Sequence, residues 1–290
     1  MAITMHASRV RRGSPVRFAA RAPACVTAML LCLGIAGCGK RSLASSCAAI
    51  GACDPPKPQS ESVDILCDAS RGSTCSRETL ARTLDAILHR LAGRGGSRVR
   101  LWRLGATVGS TEVMGEATLP EVPQVHERAR KARIARDTAA ARELLLAAAQ
   151  PLFAGKATRL SPIAESVAKL ALASDGGDMR RRIVVITDGR EYGVFGDFEC
   201  ARLPSAARFH AILARRSVLS PAQLAGVAVA FAYLGGGTVP GRGCPMTVAR
   251  EVQIRALWSF ALREAGATPV TISAGEPELG DNEHEQGDEP

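Results

Sequence analysis

Two aspartates stand where a hard cation would find oxygen ligands. Asp68 follows Val63-Asp64-Ile65-Leu66-Cys67 and opens Asp68-Ala69-Ser70-Arg71-Gly72-Ser73. Asp188 follows Ile183-Val184-Val185-Ile186-Thr187 and opens Asp188-Gly189-Arg190. Each ends a short apolar run of the kind that forms a buried strand. A carboxylate with hydroxyls beside it offers what magnesium demands, about six oxygens at roughly 2.1 Å, several of them usually water. The plainer reading is that each Asp only caps the helix or turn that follows. That reading accounts for each Asp singly, but not for two strands that end in the same way.

These residues must be positioned by an alternation of strands and helices. Strands are expected at 62–67, 99–104, 111–117, 182–187, 226–234 and 268–272. Helices are expected at 77–91, 122–153, 160–173, 204–216 and 247–265, the first with an apolar stripe at 80, 84, 87, 88 and 91. Residues 99–104 and 111–117, joined by a turn at Gly109-Ser110, form a hairpin. The pattern predicts an α/β fold: a doubly wound, mostly parallel sheet with one antiparallel edge strand and helices on both faces. In such a sheet the ligand crevice lies beyond the carboxyl ends of the strands, where strand order reverses.

On these motifs the chain resembles the von Willebrand factor A domain family across roughly residues 60–273. The first motif is Asp68-Ala69-Ser70-Arg71-Gly72. The loop motif is Gly155-Lys156-Ala157-Thr158-Arg159-Leu160. The third is Thr187-Asp188-Gly189. The resemblance implies a metal-ion-dependent adhesion site for Mg²⁺, or Mn²⁺ or Ca²⁺, with Asp68, Ser70, Thr158 and Asp188 as ligands. The family's second serine falls on Gly72, and Ser73, one place later, is the substitute. In this family the metal keeps a position open for an acidic side chain of a partner protein, so recognition is expected and catalysis is not.

The N-terminus reads as an address. Arg9, Arg11, Arg12, Arg17 and Arg21 precede an apolar run of about 14 residues that ends in Ile35-Ala36-Gly37-Cys38. The run is too short for a membrane span and suits a signal peptide. Its end resembles the bacterial lipobox, which implies lipidation at Cys38 and a membrane tether in the cell envelope. Gly39, following Cys38, points to the outer membrane. The organisation expected is a signal peptide over 1–37, a tether over 38–60 rich in Gly, Ser, Ala and Pro, the folded body over 61–274 and an acidic tail over 275–290.

Composition narrows the function. Hydrophobic residues make up 46% of the 290 residues, enough for a core without help from disulfides. Aromatics are only 4%, and with export this excludes a stacking platform for nucleic acid. The formal charge of +9 falls to +4 once the five N-terminal arginines are removed. Cysteine usage fits an oxidising compartment. A Cys200–Cys244 disulfide would pin the loops after adjacent strands. Cys67 either pairs with Cys75 or stays buried as a small apolar residue. Arg128, Arg130, Lys131, Arg133 and Arg136 make one helix basic, a face for anionic lipid or an acidic partner, or simply a solvated surface. Ser161 and Ser166 lack the context of a hydrolase nucleophile. The expected function is a membrane-tethered module that binds a partner protein through the metal face. The alternatives are an assembly subunit with a metal-free site and, last, a metal-dependent hydrolase.

Overall fold

The computed structural model describes residues 59–121, 126–173, 179–235 and 245–279, all within the unit Pro58–Pro290. The expected signal peptide, Cys38, nearly all of the tether and Cys244 lie outside the described residues.

Six strands form one sheet: β1 (Glu61–Asp68), β2 (Arg98–Leu104), β3 (Glu112–Thr118), β4 (Arg180–Ile186), β7 (Val227–Ala232) and β8 (Val270–Ile272). Their order is β3-β2-β1-β4-β7-β8. Every pairing is parallel except β2 with the edge strand β3. This is the doubly wound sheet that the alternation predicts. A further ribbon of β5 (Tyr192–Gly193) and β6 (Gly196–Asp197) follows β4. It was not expected, because two residues per strand leave no periodic trace.

β1 and β7 are buried along their whole length, as parallel strands covered on both faces must be. Alternate residues feed two cores. Val63, Ile65, Cys67, Val184 and Ile186 face helices α1 (Arg77–Leu91) and α2 (Glu127–Ala148). Leu66, Ile183, Val185, Val229 and Phe231 face α4 (Ile163–Leu172), α5 (Ala206–Ala214) and α6 (Val248–Glu264). The apolar stripe of α1 is buried as its spacing requires, and Ser76 caps the helix in a reciprocal pair with Thr79.

The long helix expected over 122–153 divides. α2 ends at Ala148, and the short α3 (Gln150–Ala154) restarts with Pro151 in its first turn. A proline is tolerated there because the first amides of a helix lack partners in any case. The helix expected from Leu160 begins at Ile163, after Pro162. On α2 only Ala141 and Leu145 are buried. Part of its basic character is matched on the helix itself: Lys131 pairs with Glu127 at 2.9 Å, and Arg136 with Asp137 at 3.2 Å.

The far end of the sheet is tied by buried ions. Glu61 meets Arg182 at 2.6 Å and Arg90 at 3.1 Å, while Asp64 accepts from Arg100 and Trp102. The expected tail is anchored at its start: Gly275 O accepts from Tyr233 N, and Leu279 O from Arg90. Among the described residues, no helix is long and apolar enough to cross a membrane.

Candidate functional site

β1 is the switch point of the sheet. The chain runs outward from it to β2 on one side and pairs with β4 on the other. Asp68 ends β1, and Asp188 stands just beyond β4. The two carboxylates are thus delivered to the carboxyl ends of adjacent central strands, where open α/β sheets place ligands.

Asp68 has no solvent exposure. Its Oδ1 accepts from Ser70 N at 2.9 Å. Its Oδ2 accepts from the hydroxyls of Ser161 and Thr187, each at 2.9 Å. Asp188 Oδ1 accepts from Arg190 N at 3.0 Å, and Oδ2 lies 3.5 Å from Arg190 Nε. Burial, with the charge of Asp68 added, pushes the Asp188 carboxyl up to about 7.

Two loops meet beside the pair. Ser70 and Thr158 form a lone parallel bridge: Thr158 N donates to Ala69 O at 3.2 Å, and Arg71 N to Thr158 O at 2.9 Å. Sequence positions 88 apart are thereby fixed side by side. The Thr158 hydroxyl donates to Leu160 O at 2.9 Å, which leaves its own lone pairs available. Ser73 is turned elsewhere, its hydroxyl accepting from Cys75 N at 3.3 Å. Gly72 sits at φ +86°, a conformation that serine rarely adopts. The structure therefore brings Asp68, Ser70, Thr158 and Asp188 together, with Ser73 on the same loop facing its own backbone.

The framework behind the crevice is rigid. Cys67, next to Asp68, is disulfide-bonded to Cys75, with Cα atoms 5.7 Å apart, so of the two readings left open by the sequence the pair is the one formed. Gly189 has φ +81°, and its carbonyl accepts from Trp258 Nε1 at 2.8 Å. Trp258 packs with Phe198, Phe209 and Phe231, so the few aromatics concentrate directly under the site. Cys200, on the crevice wall, is disulfide-bonded, while Cys244, the partner expected from the sequence, lies outside the described residues.

Several residues of the site were not assigned to it from the sequence. Ser161 was weighed only as a nucleophile. Glu191, fully buried, accepts from Ala164 N at 3.0 Å with Oε2 and so caps the start of α4. Its Oε1 has no hydrogen-bond partner among the described residues, and burial pushes its carboxyl up to about 8. A cavity of about 230 Å³ is lined by Ser70, Ser161 and Asp188, and Arg71, Arg159 and Arg190 are part of its wall. Each of these arginines lies next to a motif residue or closes a motif: after Ser70, after Thr158 and after Asp188-Gly189. Adjacency was the signal available.

No family model matches the chain, and no curated protein does. Among solved structures it is similar to BatB, a conserved hypothetical protein from Bacteroides thetaiotaomicron. The identity is 14% and the TM-score 0.40, covering 74% of this chain and 91% of that one. It is also similar to an aerotolerance-related membrane protein from Bacteroides fragilis NCTC 9343, at 15% identity and TM-score 0.36, covering 73% and 90%.

Proposed function

We propose that this chain is a recognition module, tethered to a bacterial membrane through a lipidated Cys38, that binds a partner protein at the crevice over Asp68 and Asp188. One observation carries the reading: two carboxylates stand at adjacent central strand ends, beside Ser70 and Thr158 on loops bonded to each other. The residues suit a divalent cation. Asp68, Ser70, Thr158 and Asp188 supply oxygens, and the two carboxylates repel each other in a buried place that a dication would neutralise. Bound there, the ion supplies a positive centre for a carboxylate of the partner.

A second reading, a scaffold with a metal-free site, is favoured by two contacts. Arg190 already stands beside Asp188, and the Ser73 hydroxyl is committed to Cys75 N. Calorimetry with Mg²⁺ and Mn²⁺ on the full chain in detergent separates the two. Heat in the native protein that is lost in Asp188→Ala supports the metal reading, and no heat in either protein ends it. Pull-downs with and without chelator test recognition itself. Labelling with a lipid precursor, native against Cys38→Ser, tests the tether; equal labelling would refute it.

A further inference from the structure

We propose that the crevice holds an oxyanion site of its own, in which Arg71, Arg159 and Arg190 take a carboxylate from an acidic segment of the partner without a metal ion. The inference rests on the reading that this crevice is the recognition surface.

Arg190 is the anchor. It is 7% exposed, and its Nε has no hydrogen-bond partner among the described residues. Its recorded ion pair, with Asp188 Oδ2, is long at 3.5 Å. A buried guanidinium is costly unless its N–H groups are satisfied. Arg190 is part of the cavity wall, so an incoming oxyanion is placed beside its guanidinium.

Arg71 and Arg159 complete the site from the rim. Both are exposed, and neither side chain has a hydrogen bond or ion pair among the described residues. They are held as neighbours because the Ser70–Thr158 bridge joins the loops that bear them, with Arg71 N donating to Thr158 O at 2.9 Å. The cavity, about 230 Å³, has room for a side-chain carboxylate. Asp188 and Glu199 also line it, and Asp188 is already faced by Arg190, so three guanidinium groups stand against two carboxylates. The planar fork of a guanidinium matches the two oxygens of a carboxylate. Tyr192, also on the wall, carries a neutral donor.

The test is fluorescence anisotropy of a labelled glutamate-rich peptide on the full chain in detergent, with excess EDTA or with Mg²⁺. Expected is binding that survives EDTA, weakens with salt, and weakens at least about tenfold in Arg71→Gln/Arg159→Gln, since charge-assisted contacts are lost. These side chains are exposed, so the melting temperature should not move. Arg190→Gln should weaken binding as well. Binding only with Mg²⁺ would overturn the proposal and leave metal-dependent recognition intact. Affinity unchanged in the double variant would overturn it as non-specific attraction. No binding of the peptide in either buffer would overturn the proposal.

Discussion

The Ser161 hydroxyl donates to Asp68 Oδ2 at 2.9 Å, joining positions 93 apart in the chain. Thr187, from the neighbouring strand end, donates to the same oxygen. The Asp68 carboxyl group is thus buried against two hydroxyls and one backbone N–H. Removing one hydroxyl leaves a buried oxygen short of a donor, which costs about 1–3 kcal/mol. Ser161→Ala and Thr187→Val should each lower stability by that amount. The double variant should depart from additivity, because both donors serve one atom. Urea unfolding checks this, and full additivity would mean that the two bonds act independently.

Glu191 makes stability depend on pH. Its carboxyl is pushed up to about 8 in the fold, while an ordinary Glu ionises at about 4.3. Between roughly pH 4 and 8 the folded state keeps a proton that the unfolded state has lost. This contribution is therefore fully present below about pH 4 and is lost as pH rises toward 8. Asp188, pushed up to about 7, acts with the same sign over a narrower window. Glu191→Gln keeps an acceptor for Ala164 N and cannot ionise. It should flatten the slope and raise stability near pH 8 by a few kcal/mol, roughly. Denaturation midpoints at pH 5 and pH 8 would show it; an unchanged slope would place its source elsewhere.

The fold was legible where burial is complete and periodic. The apolar run at 182–187 and the stripe at 80, 84, 87, 88 and 91 announced β4 and α1 because both are covered by neighbours. Helix starts were read early at Leu160 and across Gln150, where prolines set the true limits. The placement of Asp68 and Asp188 at adjacent strand ends, and of Ser70 and Thr158 on neighbouring loops, was legible because these residues end or follow regular elements. Ser161, Arg71 and Arg190 were not assigned, because their role comes from loops meeting in space. Glu191 looks like any loop acid, and only burial gives it a distinct character. The turn of Ser73 toward Cys75 depends on Gly72 at φ +86°, a backbone choice that side-chain spacing does not reveal.

Gly189 should tolerate no side chain. Its φ is +81°, and a Cβ there would lie 2.6 Å from Leu234 Cδ1 and 3.0 Å from Ile254 Cγ2. Gly189→Ala should cost roughly 2 kcal/mol or more, from strain and crowding together. It would also displace the carbonyl that Trp258 holds, so ligand binding at Asp188 should fall with stability. Thermal unfolding and calorimetry on the same variant check both.

The Cys67–Cys75 bond closes the loop that carries Ser70 and Gly72. Cys75→Ala should remove about 2–3 kcal/mol, the chain-entropy expectation for so short a loop. Amide exchange should rise over Ala69–Thr74 more than in β4. Uniform acceleration across the sheet would show that the bond supports the fold generally and not this loop.

Both carboxylates hang from β1 and β4, the two innermost strands, each paired on both sides. Central strands open last when a domain fluctuates, so the strand ends that carry Asp68 and Asp188 should exchange slowest. A ligand entering the crevice spends little free energy on ordering it. Variants of the wall should then change how long a complex lasts more than how fast it forms. On the recognition reading proposed above, the crevice would act as a socket, with selectivity expressed in residence time.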